Sequence, residues 1–174
     1  IDHQLFADSV KLLIHDTIDY LPSGFHFLVN ASVTTTHSEP RCFFGQDFIQ
    51  LSPSYHTNCK SWVFSADSVD IILSFGATDS LDLICPVVEL LNNLPSARSF
   101  NFVIPLLSSA NSLPEIRQTI YHSPLSIELM LDQLDLVEAY KSSRACIGAS
   151  GSASWERACI GLPSAQFPII DNQL

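Results

Sequence analysis

Apolar segments alternate along the chain with amphipathic ones, and this pattern predicts strands and helices in turn. A continuous apolar run at 69–75 is typical of a strand that is covered on both faces. Further strands are predicted at 100–106 and 165–170, and helices at 81–94 and 154–160. Strands that alternate with helices predict a parallel sheet with right-handed crossovers, which is an α/β fold.

Shorter signals of the same kind complete the pattern. Strands are predicted at 11–16, 25–30, 43–45 and 126–130, and helices at 114–121 and 134–142. Residues 31–40 are expected to form a loop or one short helix, and residues 55–61 a linker. Asp79 or Ser80 is a candidate N-cap of the helix at 81–94, and Pro86 is expected to kink that helix or to mark a late start.

A loop of small residues at 148–154 follows the apolar stretch 145–147 and leads into the predicted helix, which Gly161 and Pro163 close. Backbone N–H groups at such a strand-to-helix turn can approach an anion, and the helix N-terminus adds about half a positive charge. An ordinary turn of a parallel sheet has a similar composition, so the spacing alone leaves both interpretations open.

Glu156 adds to the interest of this loop because it lies within the first turn of the predicted helix. Ala153 stands three positions earlier, so no capping box explains the acid. A carboxylate at this place could accept hydrogen bonds from a ribose diol.

The amino-acid composition argues against some classes of binding partner. The formal net charge of −10 argues against sequence-independent binding of nucleic acid, and only 8 Lys and Arg residues argue against an acidic membrane surface. The 5 cysteines include no C-x-x-C pair, which indicates reduced thiols in a cytoplasmic protein rather than a disulfide framework or a zinc site. No apolar run is long enough to span a bilayer. The chain lacks an initial methionine and stops straight after a predicted strand, so both ends are expected to be cuts.

Three loops follow strands of the same predicted sheet, at 74–79, 148–154 and 171–173. Ligands of open α/β sheets collect at the carboxyl ends of the strands, near the point where the strand order reverses. These loops are therefore expected to meet at one site, although a tight turn and a helix cap also account for Gly76 and Asp79.

These loops carry a resemblance to a known family. Ile72 to Asp79, then Ile147 to Pro163, then Asp171-Asn172-Gln173 resemble the UDP-2,4-diacetamido-2,4,6-trideoxy-β-L-altropyranose hydrolases of pseudaminic acid biosynthesis. That family shows Ser-Phe-Gly-Gly-Thr-Asp-Pro, a Gly-rich turn into Ser-Thr-Trp-Glu, and an Asn-Gln pair after the next strand. Its fold is related to that of the GT-B glycosyltransferases. Residues 12–16 and 43–51 also resemble family segments.

The resemblance implies a GT-B-like pair of Rossmann-like domains that hold a UDP-sugar in the cleft between them. Residues 1–62 would be the C-terminal part of the first domain, and residues 63–174 most of the UDP-binding second domain. The residues implied for the nucleotide are Ser150, Gly151, Ser152 and Ser154 on the diphosphate, Glu156 on the ribose, and Gly76 and Gln173 nearby. Asn172 matches an asparagine that would position the sugar or the attacking water.

The implied reaction is attack of water on the anomeric carbon with UDP as the leaving group, and neither a metal nor a cofactor is expected. The family's histidine base would lie upstream of Ile1. The chain has Ala77 and Ser80 where the family has glycine and proline, and Gln4 at the place of a tyrosine. A GT-B glycosyltransferase and a non-catalytic nucleotide-sugar-binding module therefore remain as alternatives.

Overall fold

A computed structural model describes residues 9–15, 18–31, 39–64, 69–75 and 81–168, with backbone only at positions 69, 81 and 82. The described residues fall into two compact units, which divide between residues 50 and 51. No helix in these ranges is long and apolar enough to cross a membrane.

The first unit contains a three-stranded parallel sheet in the order β1-β2-β3. Its strands are β1 (Leu12–Ile14), β2 (Phe27–Asn30) and β3 (Cys42–Phe44), and a 3₁₀ helix follows at Gln46–Phe48. The strands predicted at 11–16, 25–30 and 43–45 are thus confirmed, each with somewhat different bounds.

The second unit is built on a five-stranded parallel sheet in the order β6-β5-β4-β7-β8. Its strands are β4 (Val69–Ser74), β5 (Asn101–Leu106), β6 (Ser126–Leu131), β7 (Ser143–Ala149) and β8 (Ser164–Phe167). Its helices are α1 (Pro53–Thr57), α2 (Leu81–Asn92), α3 (Leu113–His122), α4 (Val137–Lys141) and α5 (Ala153–Ile160).

Both faces of this sheet are covered, as the continuous apolar run of β4 predicts. Consecutive β4 residues point to opposite faces, so Leu73 joins a core with Ile84 and Val88 of α2, whereas Ile72 joins a second core. Side chains of α1, α4 and α5 supply that second core, which includes Tyr140 and Ile160. The second unit is therefore a three-layer α/β structure.

The strand order reverses at β4. From β4 the chain builds outward to β5 and β6, then returns to place β7 on the other side of β4. The last residue of β4, Ser74, lies opposite Gly148 of β7 in the parallel register. Connections that leave neighbouring strands in opposite directions open a crevice at their carboxyl ends, so this edge is where a ligand site is expected.

The expectation of a linker at 55–61 is corrected by the structure, because helix α1 begins at Pro53 and includes residues 55–57. Pro53 suits a first helical position, where an N–H would have no partner. The backbone N–H groups of Lys60 and Trp62 donate to the carbonyls of Cys159 and Ile160 at 2.7 and 3.0 Å. These bonds tie the segment to α5.

Other differences concern the ends of elements. Helix α4 begins at Val137 rather than at 134. Just before the helix, the Asp135 carboxylate accepts a hydrogen bond of 2.9 Å from the Val137 N–H. Pro86 lies inside α2, which begins at Leu81. The proposed caps Asp79 and Ser80 lie outside the described residues, as does the end of the strand predicted at 165–170.

Candidate functional site

A cavity of about 280 Å³ opens at the carboxyl edge of the five-stranded sheet, within the second unit. Its polar lining comes from the end of β4, from α1 and α4 and from the start of α5, through Ser74, Tyr55, Tyr140, Ser152 and Glu156. Its remaining lining comes from the end of β5 and from the loops that follow β5 and β6, and it includes five apolar residues: Pro105, Leu106, Leu107, Leu134 and Leu136. The polar side chains of Ser52, Gln133 and Asp135 complete it. The site therefore offers both apolar side chains and hydroxyl and carboxyl groups.

The loop between β7 and α5 presents free backbone donors beside this cavity. The N–H of Ser150 donates to the Phe167 carbonyl at 2.9 Å, which ties the start of the loop to β8. The N–H groups of Gly151, Ser152 and Ala153 have no acceptor within the described part of the chain, and the Ser152 side chain makes no capping bond. Unpaired N–H groups at a helix N-terminus are suited to an anion.

A buried arginine lies beneath the same loop. Arg157 is fully buried, and its Nη2 donates to the Ala149 carbonyl at 2.7 Å. The same nitrogen lies 3.4 Å from the Ser154 hydroxyl oxygen, and that hydroxyl donates to the Ala149 carbonyl at 3.3 Å. The Nε and Nη1 atoms of Arg157 have no hydrogen-bond partner among the residues that the structure describes. A cation buried with so few partners is costly, and it makes the underside of the loop electropositive.

Gly148 allows the strands beneath the loop to pack this closely. A Cβ atom at this position would overlap the carbonyl oxygen of Ser74 and would lie 3.2 Å from Nη1 of Arg157. Any side chain here would push β7 away from β4 or displace the guanidinium. Gly148 is therefore needed for the close packing of β7 on β4 beneath the loop.

Glu156 is held by a tyrosine from a distant part of the sequence. The Tyr55 hydroxyl donates to Oε2 of Glu156 at 3.1 Å. Burial raises the pKa of the Glu156 carboxyl above its ordinary value of 4.5, and the Tyr55 hydrogen bond and the Arg157 charge act in the opposite direction. Burial, followed by the charge of Glu156, raises the pKa of Tyr55, so that its hydroxyl keeps its proton and remains a donor.

Ser74 and Tyr140 form a second polar pair in the cavity. Their hydroxyl oxygens lie 3.1 Å apart, and both residues are buried. Burial raises the pKa of the Tyr140 phenol. This pair is therefore neutral and can offer hydrogen bonds to a ligand without adding charge.

Some of the site residues predicted from the sequence meet at this cavity. Ser152 and Glu156 line it, and Gly151 lies in the adjoining loop. Ser150 and Ser154 use a backbone N–H and a hydroxyl, respectively, to hold the loop in place. Three further predicted residues lie outside the described ranges: Gly76, Asn172 and Gln173.

Three residues of the site were not predicted from the sequence: Tyr55, Tyr140 and Arg157. Arg157 had a usable signal, because it precedes the buried Ile160 by one helical turn and so shares its inward face. Tyr55 had none, since 101 positions separate it from Glu156.

No protein-family model matches the chain. The chain is similar to the spore coat polysaccharide biosynthesis protein SpsG of Bacillus subtilis (strain 168), with 23% identity over 133 residues. That match covers 76% of this chain and 39% of SpsG. The structure is similar to the crystal structure of MurG from Acinetobacter baumannii, with a TM-score of 0.50 and 13% sequence identity. That match covers 98% of this chain and 44% of the MurG chain, so the chain spans less than half the length of either protein.

The likeness to MurG and the two parallel sheets confirm the predicted α/β, GT-B-like class with Rossmann-like sheets. The likeness to SpsG connects the chain by sequence with a protein of spore coat polysaccharide biosynthesis.

Proposed function

We propose that the second unit binds the UDP part of a UDP-sugar and that the full-length protein hydrolyses this substrate. Water attacks the anomeric carbon, the anomeric C–O bond breaks, and UDP leaves with the bond electrons. The observation that carries the proposal is the loop after β7, where three N–H groups and two nitrogens of the buried Arg157 have no hydrogen-bond partner among the residues that the structure describes. A diphosphate would supply the negative charge that this arrangement favours.

The lining of the cavity suggests how the nucleotide would lie. The diphosphate would accept hydrogen bonds from the N–H groups of the loop at Gly151, Ser152 and Ala153. Glu156 would accept hydrogen bonds from the ribose, because an ionised carboxylate is an acceptor only and a diol supplies donors. The base would pack against the apolar residues of the lining, which include Pro105 and Leu106.

The proposed reaction requires the site to stabilise the diphosphate as it leaves. As the anomeric C–O bond breaks, negative charge grows on the bridging phosphate oxygen. Donors that are already oriented towards that charge stabilise the transition state without further reorganisation. Gly76 and Gln173 remain proposals for the nucleotide and Asn172 for the sugar or the attacking water, and all three lie outside the described residues. The proposed sugar is a diacetamido-trideoxyhexose of pseudaminic acid biosynthesis, which agrees with the polysaccharide role in the name of SpsG.

Release of UDP from UDP-sugars by the full-length protein, with and without an acceptor, tests this proposal. We expect release in water alone. Release that requires an acceptor would replace the hydrolase with a glycosyltransferase, and UDP binding without release would indicate a binding module. Glu156→Ala should weaken UDP binding, whereas Glu138→Ala removes an exposed carboxylate of the same unit and should not. Absence of UDP binding by the wild-type protein would overturn the proposal.

A further inference from the structure

The side-chain hydroxyl of Tyr55, on helix α1, contacts the candidate site. The Tyr55 hydroxyl donates to one carboxylate oxygen of Glu156, across 101 positions of sequence. We propose that Tyr55 is a positioning residue, which orients Glu156 towards a ribose and makes the site select ribonucleotides over 2′-deoxyribonucleotides. This inference rests on the proposed function, because it assigns a specificity to the same nucleotide site.

The phenol of Tyr55 has little freedom to move. Its side chain is 3% exposed and packs into the core between the sheet and helices α4 and α5, which includes Tyr140 and Ile160. The backbone of Tyr55 is fixed as well, because its carbonyl accepts a hydrogen bond of 3.4 Å from the Cys159 thiol of α5. A donor held this firmly defines where Oε2 of Glu156 lies, and therefore where Oε1 lies.

The selectivity for ribose arises because the two carboxylate oxygens of Glu156 have different partners. Tyr55 occupies Oε2, and no hydrogen bond joins Oε1 to another described residue. An ionised carboxylate accepts hydrogen bonds but cannot donate them, whereas the two hydroxyls of a ribose diol can both donate. A nucleotide without the 2′-hydroxyl would cover the half-buried carboxylate and leave it short of a donor, and such a loss is costly in a desolvated site.

The charges around Glu156 support the same role. Besides Tyr55 on α1, the groups that act on it are Arg157 on its own helix and Asp135 in the loop before α4. Tyr55 and Arg157 lower the pKa of the Glu156 carboxyl, whereas burial and Asp135 raise it. The tyrosine therefore helps to keep Glu156 in the ionised form that accepts from a diol.

Dissociation constants for UDP and 2′-deoxy-UDP, measured by calorimetry on the full-length protein and on Tyr55→Phe, test this inference. We expect the wild-type protein to prefer UDP by about tenfold, the size of a hydrogen bond to a charged group. In Tyr55→Phe this preference should fall by about threefold, because Glu156 can then rotate and is more easily protonated. Thermal unfolding of the variant shows whether it remains folded.

Tyr121→Phe is the control, because it also removes a tyrosine hydroxyl from the second unit, but an exposed one on α3 that does not line the cavity. Its preference for UDP over 2′-deoxy-UDP should equal that of the wild-type protein. An unchanged preference in Tyr55→Phe, or an equal fall in both variants, would overturn the role of Tyr55 while UDP binding stands. The pH below which the preference fades should also be higher in Tyr55→Phe, which a purely structural role would not produce. A wild-type protein that binds neither nucleotide would refute the proposed function itself.

Discussion

The two edges of the five-stranded sheet differ in how completely their buried charges are paired. At the amino edge, the Asp70 carboxylate forms an ion pair of 2.8 Å with Arg144 and accepts a hydrogen bond of 2.8 Å from the Asn101 N–H. Arg144 also lies over the ring of Phe64, 5.4 Å from its centre. At the carboxyl edge, Arg157 is more deeply buried, yet two of its nitrogens have no partner within the described residues.

This difference separates a charge that is paired within the fold from one for which we propose an anionic ligand. Asp70 links the starts of β4, β5 and β7, and a charge with this many partners repays much of its desolvation. The incomplete pairing of Arg157 leaves a desolvation cost within the protein, which an anion in the loop above would reduce. Such a cost is the pattern expected where function competes with stability.

Gly148→Ala should produce the largest effect, because the new Cβ would overlap the Ser74 carbonyl and crowd Arg157. We expect the free energy of unfolding in urea to fall by about 3 kcal/mol. Gly161→Ala, at the other end of α5, is the matched control. There the cost is the left-handed backbone, with φ of 93°, because the new Cβ would make only an ordinary contact of 4.0 Å with Trp62, so the loss should be about 1 kcal/mol. Equal losses would show that the contact between β4 and β7 is looser than the structure indicates.

Asp70→Asn tests the paired charge of the amino edge. The variant keeps an acceptor for the Asn101 N–H but loses the attraction to Arg144, whose side chain is partly exposed. We expect a loss of about 2 kcal/mol in the free energy of unfolding, with the dissociation constant for UDP unchanged. Asp47→Asn removes an exposed carboxylate and should alter neither quantity. Weaker UDP binding in Asp70→Asn would mean that the two edges are not independent.

Arg157→Met tests the unpaired charge of the carboxyl edge, and its pattern should be the reverse. The affinity for UDP should fall about tenfold, or about 1.4 kcal/mol, whereas the free energy of unfolding should change by less than about 1 kcal/mol. The affinity for uridine, which lacks phosphate, should change much less. Arg98→Met removes an exposed cation and controls for net charge. Equal losses for UDP and uridine would indicate that Arg157 shapes the cavity without contributing through its charge.

The sequence was sufficient for the fold wherever a signal was local. The apolar run of β4 predicted a strand covered on both faces, and Gly161 marked the end of α5 through its positive φ. The small residues after β7 predicted the turn that carries the free donors. In each case one stretch of chain contains the whole physical cause.

What the sequence did not predict depends on contacts between distant segments. Residues 55–61 were interpreted as a linker because α1 is only five residues long, and its stability comes from packing on α5. The bond between Tyr55 and Glu156 follows from that packing, so the tyrosine could not be assigned to the site in advance. The helical pattern at 134–142 did not resolve the start of α4 at Val137, whose N–H donates to the Asp135 carboxylate.

Glu156→Gln should give the smallest change in the free energy of unfolding, and it tests the charge of one carboxylate at the carboxyl edge. Burial raises the pKa of Glu156 above 4.5, so the folded state holds its proton more tightly than the unfolded state does. The wild-type protein should therefore lose stability relative to Glu156→Gln as the pH rises through 4.5 towards the folded pKa, and the difference should level off outside that window. Because Tyr55 and Arg157 offset part of the burial, the slope should be shallow.

Urea unfolding of the wild-type protein and Glu156→Gln from about pH 4 to about pH 8 measures this slope. The glutamine keeps an acceptor oxygen for the Tyr55 hydroxyl, so the comparison isolates the charge. A slope of the opposite sign would mean that Arg157 stabilises the Glu156 carboxylate by more than burial costs. The two residues would then form a paired charge, and the carboxyl edge would resemble the amino edge. A shallow slope of the expected sign would instead show that this edge keeps a carboxylate at a cost to folding, available for the hydroxyls of a ligand.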